Sequence, residues 1–183
     1  MLIEGISTNL ELIKMEDCQF VADLRSLPEI NMFLSNDGEI SIEMQKKWLT
    51  NFLAKSKDYY FIIKDKKSNI RTGTISLYEI NPKEKRAEFG RYICTNNLNA
   101  IESELMILDY AFNELKLLKI YCRTVENNKK VWNQHYKYGF EDIGFEEMIG
   151  PKKFRLRIQE IDFDRFKSFD YSKIIKIINK FNK

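Results

Sequence analysis

One strand–helix–strand pattern in the middle of the chain restricts the fold more than any other feature. RAEFGRYIC (residues 86–94) has the composition of a strand, and apolar residues then recur at helical spacing from Ile101 to Leu115. A second strand-like segment, KIYCRTV, follows at residues 119–125. The helix between the two segments is long enough to connect parallel neighbours, so the sequence predicts a βαβ crossover at this point.

The other strand-like segments are joined by shorter connections. YYFIIKD (59–65) and RTGTISLYEI (71–80) are rich in β-branched and aromatic residues. Turns of a few residues join them to each other and to residues 86–94, which favours an antiparallel meander. FEDIGFEEMI (140–149) and KFRLRIQEIDF (153–163) are typical of a closing hairpin. The predicted class is α+β, with a mostly antiparallel mixed sheet and helices on its faces.

The two ends of the chain are predicted to add a strand and further helices. LELIKM (10–15) alternates enough for a first strand, and Asp17 and Ser41 are in position to cap two helices. The second of these helices is predicted to bury Met44, Trp48, Leu49, Phe52 and Leu53. The end of the chain has an amphipathic stripe made of Ile174, Ile175, Ile177, Ile178 and Phe181. We expect residues 1–163 to form the main domain and residues 164–183 a helical tail, packed on that domain or in an oligomer contact.

Composition excludes several classes of function. The 183 residues include 44% hydrophobic and 31% charged residues, which suits one folded domain. The formal net charge of +3 gives little support for nucleic-acid binding, and no apolar run is long enough for a membrane span or a signal peptide. The 3 cysteines lack metal-ligand spacing, and the single histidine excludes a multi-histidine metal site. We therefore expect a cytoplasmic protein without a metal.

Several segments, taken in order, resemble the GNAT acetyltransferase superfamily over roughly residues 8–163. They are LRSLPEINMFLS, EMQKKWLTNFL, YYFII, AEFGRYI and ILDYAFNELKLLKIYCRTVENNKKVWNQHYKYGFEDIG. Within that superfamily, these segments are most similar in sequence character to the branch that contains amino-sugar and ribosomal-protein N-terminal acetyltransferases. The resemblance implies transfer of an acetyl group from acetyl-CoA to a primary amine of a small molecule. A nucleotide-linked amino sugar of surface-glycan or flagellin-glycan synthesis is the expected acceptor, and a homodimer is possible.

The family's glycine-rich phosphate loop corresponds here to NNLNAI (96–101), which contains no glycine. A helix N-terminus offers unpaired N–H groups whatever its side chains, and asparagine tolerates positive φ. Asn99 with Glu102 fits a capping-box-like start of the helix. Glu102 and Glu104 are expected to repel a pyrophosphate, so the alternative is a helix cap with weakened or lost cofactor binding. The residues that the resemblance assigns to acetyl-CoA are Ile93, Cys94, Asn97, Asn99, Ala100, Ile101, Asn128 and Lys130.

Two residues are candidates for proton transfer. Glu88 lies in the middle of a strand that looks buried, where the resemblance implies a base for the amine proton. The alternative is a structural carboxylate paired with Arg86 or Arg91. His135 falls where the family has a tyrosine that protonates the leaving thiolate, and a histidine near its ordinary pKa of about 6.5 can donate a proton near neutral pH. The alternative is an ordinary polar helix residue.

The acceptor amine is expected to enter beside the first helices. Arg25, Asn31, Phe33 and Trp48 are the candidate substrate residues there, although Trp48 is equally well explained as core. Three readings of the chain stay open. It is a small-molecule acetyltransferase, a protein N-terminal acetyltransferase similar to the ribosomal-protein enzymes, or a non-catalytic binding protein that keeps the fold.

Overall fold

The protein folds around one mixed β-sheet. The computed structural model describes residues 1–35, 40–55 and 57–181. In this part of the chain eight strands pair in the order β1-β2-β3-β4-β5-β6-β8-β7. Their bounds are β1 Leu2–Glu4, β2 Thr8–Leu12, β3 Tyr59–Asp65, β4 Arg71–Asn81, β5 Arg86–Cys94, β6 Lys119–Val125, β7 Glu141–Met148 and β8 Phe154–Asp162. β5 and β6 pair in parallel, and the remaining neighbours pair antiparallel.

Helices cover both faces of the sheet. They are α1 Cys18–Ser26, α2 Pro28–Asn31, α3 Ile42–Lys55, α4 Asn97–Asp109, α5 Lys129–His135, α6 Phe163–Ser168 and α7 Ser172–Phe181. α4 connects the parallel strands β5 and β6, which confirms the predicted crossover, and the meander β3-β4-β5 and the closing hairpin β7-β8 are confirmed as well. Among the described residues, no helix has the length and apolar character needed to cross a membrane.

The sheet buries a different core on each face. The larger core joins α4 and α7 to the strands, and its buried members include Phe61, Ile107 and Ile178. The smaller core lies under α1 and α3 and includes Val21 and Leu49. Because side chains alternate along a strand, neighbouring residues of β5 point into opposite layers.

Two predictions about the first half of the chain are wrong in detail. The strand predicted at residues 10–15 ends at Leu12, and a further short strand pairs with it. The predicted apolar side of α3 is wider than the side that the sheet covers. Leu49 is buried, but Met44 and Leu53 are 57% and 54% exposed, because the sheet contacts only one narrow stripe of the helix.

The tail forms two helices instead of one. α6 ends at Ser168, and the Asp170 carboxylate accepts a hydrogen bond from the Ser172 amide at 2.9 Å as α7 begins. Ile174 and Ile178 of α7 are buried in the larger core. Ile175, Ile177 and Phe181 are exposed, because only one face of the helix rests on α4. The boundary between domain and tail at residue 163 stays a prediction.

Glu102 fastens α4 to the turn between β1 and β2. Its carboxylate accepts hydrogen bonds from the Ile6 amide, from the Ser7 amide at 2.8 Å and from the Ser7 hydroxyl at 2.5 Å. The turn lies so close to the helix that a Cβ on Gly5 would be 2.6 Å from Glu102 Oε1. Glu102 therefore holds the N-terminal hairpin on the sheet.

Glu102→Gln is expected to lower the free energy of unfolding by about 3 kcal/mol, because an amide cannot replace a carboxylate that accepts several buried hydrogen bonds. Urea denaturation followed by circular dichroism measures this change. Glu114→Gln, at an exposed position near the end of the same helical segment, should change it by less than about 0.5 kcal/mol. Equal losses in the two variants would contradict a fastening role for Glu102.

Candidate active site

The sheet opens between the two parallel strands. β5 and β6 are paired at Arg86, Ala87 and Glu88, and the last pair is Glu88 with Tyr121. Beyond that pair β5 stays on β4 and β6 stays on β8, so the strands part. Among the described strands, residues 89–94 have no partner on β6, and one edge of their backbone faces the opening. Unpaired N–H and C=O groups at such an edge are suited to binding an extended ligand.

Glu88 lies at the last paired position, on the face that α1 and α3 cover. It is 1% exposed, and its Oε1 accepts a hydrogen bond from the Tyr78 hydroxyl at 2.5 Å. Its Oε2 accepts a bond from Nη2 of Arg123 on β6. Burial raises the pKa of Glu88 above its ordinary value, against the hydrogen bonds from Arg123 and Tyr78, which lower it. The ion pair therefore joins the two strands where they begin to part.

The alternative partners proposed for Glu88 are wrong. Arg86 instead pairs with Glu84 at 2.8 Å, and Arg91 extends its guanidinium over aromatic rings. The partner is Arg123, which lies 35 residues away in sequence. Periodicity gives no signal for a contact across two strands and a helix.

Two arginines lie on the same face as Glu88 without a carboxylate. The Cζ of Arg91 is 3.9 Å from the centre of the Tyr78 ring and 5.3 Å from that of Trp48. Arg25 is largely buried beside Tyr60, and its buried Nε atom has no hydrogen-bond partner. Burial, together with the positive charge of Arg91, lowers the pKa of Arg25. In the described part of the chain no carboxylate oxygen lies within 4.0 Å of either guanidinium.

The other substrate candidates, Trp48, Asn31 and Phe33, differ in what they contact. Trp48 is 36% exposed and stacks on Phe52, and its role as a substrate residue stays a prediction. The Asn31 amide donates to the Arg25 carbonyl at 3.3 Å, and Lys152 binds the Asn31 carbonyl at 3.0 Å. Phe33 is half-buried in the turn after α2, and among the described residues it makes no ring contact with this group.

His135 lies on the opposite face of β5. It is 2% exposed, and its ring lies 5.4 Å from those of Phe89 and Phe140. Its Nδ1 is 2.7 Å from Oε1 of Glu104 on α4. Burial lowers the pKa of His135, but Cys122 and Glu104 outweigh this effect and raise it to about 10. The expectation of an ordinary pKa near 6.5 is therefore wrong.

The loop before α4 is short and capped. Only Thr95 and Asn96 separate β5 from the helix, and the Asn96 side chain accepts hydrogen bonds from the amides of Leu98 at 2.9 Å and Asn99 at 3.1 Å. The capping-box start predicted at Asn99 is wrong, because the cap lies three residues earlier. The buried side chain of Asn99 instead donates to the Ser7 carbonyl and the Thr8 hydroxyl. The amides of Leu98 and Asn99 thus both bind one side-chain oxygen at the N-terminus of α4.

The two carboxylates that the sequence expects to repel a pyrophosphate are both bound inside the protein, and the repulsion itself stays a prediction. The Glu102 carboxylate binds the β1–β2 turn. The Glu104 carboxylate binds the His135 ring and accepts a hydrogen bond of 2.6 Å from the Gln134 side-chain amide. Both carboxylates point into the protein because α4 buries the face that carries them. Neither carboxylate faces the helix N-terminus.

The remaining cofactor candidates lie around the same helix start. Asn97 is exposed, and the carbonyls of Ala100 and Ile101 accept hydrogen bonds from Tyr92 at 2.7 Å and Tyr138 at 2.6 Å. The Cys94 thiol donates to the Asn96 carbonyl, and the charge of Lys130 acts on that thiol, which places this lysine near the loop. Other candidates, namely Ile93 and Asn128, are half-buried. These assignments stay predictions.

Sequence reasoning missed three polar residues of the site, namely Asn96, Tyr78 and Arg123, and it missed the structural role of a fourth, Glu104. One of them had a usable signal. Glu104 is three residues after Ile101 and four before Leu108, so it lies on the buried side of the helix. A carboxylate there requires a partner.

Comparisons with known proteins agree with this geometry. A family model described as an acetyltransferase (GNAT) domain matches residues 8–141. The chain is 24% identical over 138 residues to a spermidine N(1)-acetyltransferase of Vibrio cholerae, covering 74% of this chain and 79% of that protein. It is 29% identical over 115 residues to the probable N-acetyltransferase YjcK of Bacillus subtilis, covering 59% of this chain and 64% of that protein.

Two solved structures share the fold at low sequence identity. The spermidine N-acetyltransferase of Vibrio cholerae in complex with CoA and spermine has a TM-score of 0.78 at 20% identity, covering 90% of this chain and 100% of that one. Apo FdhC, described as a nucleotide-linked sugar GNAT, has a TM-score of 0.78 at 22% identity, covering 97% of each chain. These two matches support the architecture of the sheet and its crossover.

Arg123→Gln is expected to lower the free energy of unfolding at pH 8 by about 3 kcal/mol, because it leaves the Glu88 carboxylate buried without its ion-pair partner. The loss should be smaller at pH 5, because removing Arg123 takes away a group that lowers the pKa of Glu88, and the uncharged carboxyl becomes more favourable as the pH falls. Denaturant titrations at the two pH values measure both effects. Arg155→Gln, which removes an exposed arginine, should cost less than about 0.5 kcal/mol, and an equal loss there would refute the ion-pair account.

Proposed function

Because the chain belongs to the GNAT acetyltransferase family, we propose that it transfers the acetyl group of acetyl-CoA to the primary amine of a nucleotide-linked amino sugar. The choice of acceptor is supported mainly by the positions of two arginines, Arg25 and Arg91. Both are held beside aromatic rings, and among the described residues no carboxylate oxygen lies within 4.0 Å of either guanidinium. The proposal therefore rests on the charge of the pocket.

An anionic acceptor suits this pocket better than a cationic one. Arginine binds the oxygens of a phosphate in pairs, and two guanidiniums match the two charges of a nucleoside diphosphate. The faces of Trp48 and Phe52 offer area for a base or a sugar ring. FdhC, a nucleotide-linked sugar GNAT, has the same architecture. A polyamine carries several positive charges, and two nearby arginines would repel it.

The residues around the opening fit acetyl-CoA. The free edge of residues 89–94 offers N–H and C=O groups to an extended pantetheine arm. The amides of Leu98 and Asn99 already hold one oxygen, that of Asn96, and a pyrophosphate oxygen can replace it. Lys130 adds a positive charge near the same place. When bound, acetyl-CoA supplies the thioester that the amine attacks.

Glu88 and His135 have complementary roles in this proposal. The acceptor amine must lose a proton to become a nucleophile, and Glu88 takes that proton. Its raised pKa brings it closer to the operating pH, where a general base works best. His135, across β5, supplies a proton to the sulfur that leaves. The opening between β5 and β6 connects the two faces.

A polyamine is the second candidate acceptor. The relative at 24% identity is a spermidine N(1)-acetyltransferase, and that match covers 79% of its length. The buried carboxylates of the opening do not favour a polycation, because Glu88 is already paired with Arg123 and Glu104 with His135. The kinetics of arginine variants distinguish the two acceptors.

Arg25→Gln and Arg91→Gln are each expected to lower kcat/KM for a nucleoside-diphosphate-linked amino sugar by about 10- to 100-fold, mostly through KM, because each removes a charged contact worth about 1.5–3 kcal/mol. With spermidine as acceptor the same changes should leave kcat/KM unchanged or raise it. Steady-state kinetics at saturating acetyl-CoA measure both values.

Arg71→Gln is the matched control, since Arg71 pairs with Asp17 at 2.8 Å at the start of β4, away from the pocket. It should leave kcat/KM for both acceptors within about twofold. A loss with spermidine as large as the loss with the sugar would refute the anion-binding role. Turnover of spermidine alone would replace the sugar with the polyamine as acceptor.

Glu88→Gln should lower kcat by about 100- to 1,000-fold with little change in acetyl-CoA affinity, because an amide cannot accept the amine proton. Glu79→Gln is the matched control, since Glu79 binds the same Arg123 at 3.2 Å but its side chain is 56% exposed. It should keep kcat within a few-fold of the unmodified protein. If Glu88→Gln behaved like the control, Glu88 would be only a structural partner of Arg123.

A further inference from the structure

Glu104 and His135 form a buried acid–histidine pair at the wall of the opening. Glu104 is 0% exposed on α4 and His135 is 2% exposed at the end of α5, with 2.7 Å between Oε1 and Nδ1. The second carboxylate oxygen accepts a hydrogen bond from Gln134 at 2.6 Å, and Gln134 also donates to the Tyr92 hydroxyl at 3.1 Å. The pair is therefore held on both sides by hydrogen bonds.

Other groups that face the histidine come from the packed strands and the turn after α5. Cys122 of β6 lies within hydrogen-bonding reach of the ring, one residue beyond the last β5–β6 pair. Tyr92 and Tyr138 approach Glu104, and burial raises the pKa of both phenols, so they stay neutral. Phe89 and Phe140 pack against the ring, with 5.4 Å between ring centres. Glu104 is thus the carboxylate that compensates a charge on this ring.

The geometry assigns the two ring nitrogens different tasks. Nδ1 donates its hydrogen to Glu104, so a neutral ring in this arrangement has no hydrogen on Nε2. Nε2 carries a hydrogen only when the ring is an imidazolium. The nitrogen not bound to Glu104 is the one left to face Cys122, which follows the last β5–β6 pair.

Building on the proposed function, we infer that Glu104 is a positioning residue that holds His135 as an imidazolium, so that Nε2 can give its proton to the departing thiolate. In the transfer the amine nitrogen bonds to the carbonyl carbon and loses its proton to Glu88. The carbon–sulfur bond breaks with its electron pair on sulfur, and that sulfur takes the Nε2 proton. Solvent then removes the proton from Glu88 and restores the one on His135.

The pair gives a histidine the acid strength of a tyrosine. The family pattern has a tyrosine at this position, and a phenol has an ordinary pKa near 10. Cys122 and Glu104 raise the pKa of His135 to about 10 against the effect of burial. The pair therefore stabilises the fold fully below pH about 6.5, and this contribution is lost as the pH rises through about 10. Without Glu104, one of the two groups that raise this pKa is lost, and burial shifts the ring toward its neutral form, which has no proton to give from Nε2.

The presence of only one histidine in the chain makes the test direct. Histidine labelled with ¹³C and ¹⁵N gives one ring signal, which is titrated by NMR from pH 5 to 11 in the full chain, without substrate. We expect a midpoint well above 6.5, and an alkaline limb of the kcat profile at the same pH for whichever acceptor is turned over. Glu104→Gln should lower both values by about 2 or more pH units, because the amide keeps the hydrogen bond but not the charge.

Glu102→Gln is the matched control, since it makes the same chemical change two residues earlier on the same helix. It should leave the titration and the pH profile unchanged even if stability falls. A midpoint near 6.5 in the unmodified protein, or a Glu104→Gln profile that does not move, would overturn the inference. If Glu104→Gln does not fold, the unmodified protein alone tests the inference. The midpoint of the His135 titration by NMR must then coincide with the alkaline limb of the kcat profile. If the midpoint is raised and the protein acetylates spermidine rather than the sugar, the inference about Glu104 stands and only the sugar acceptor is rejected.

Discussion

The parting of β5 from β6 after Glu88 is the constraint on which the site depends. Three residue pairs hold the strands together, and then each strand stays with its other neighbour. The α4 crossover forces the strands to be parallel, and the separate pairings of β5 with β4 and β6 with β8 keep the gap open. Among the described strands, one edge of residues 89–94 therefore has no partner on β6. Glu88 and Arg123 connect the strands at the point of parting.

Electrostatics separates the two faces of β5. The buried carboxylates, Glu88 and Glu104, each have a cationic or histidine partner, as a buried charge requires. The arginines of the acceptor face have aromatic and hydroxyl neighbours instead, and Ser76 accepts a bond from Arg91 at 3.2 Å. An anion that entered there would meet two charges without first displacing a carboxylate. This arrangement is the basis for proposing an acceptor that brings its own negative charge.

The sequence predicts the frame of the fold better than the site. Alternation and helical spacing are local properties, so the meander, the crossover and the closing hairpin follow from them. The cap of α4 was misplaced at Asn99, because three nearby asparagines fit the same role and only the length of the loop selects Asn96. The partners of Glu88 and His135 come from distant segments, and a single sequence does not show which charges meet. The protonation of Glu88 and His135 also depends on how deeply each side chain is buried, and the sequence pattern does not give that depth.

The central claim is that the opening and the capped start of α4 bind acetyl-CoA although the loop has no glycine. Calorimetric titration of acetyl-CoA into the unmodified protein and into Asn96→Gly tests it most directly. The account predicts one site of about micromolar affinity, and equal or tighter binding in the variant, because the capping oxygen no longer competes with a phosphate oxygen while glycine still caps a helix adequately. No heat of binding in either protein at millimolar acetyl-CoA would contradict the account, since the start of α4 would then be a helix cap alone.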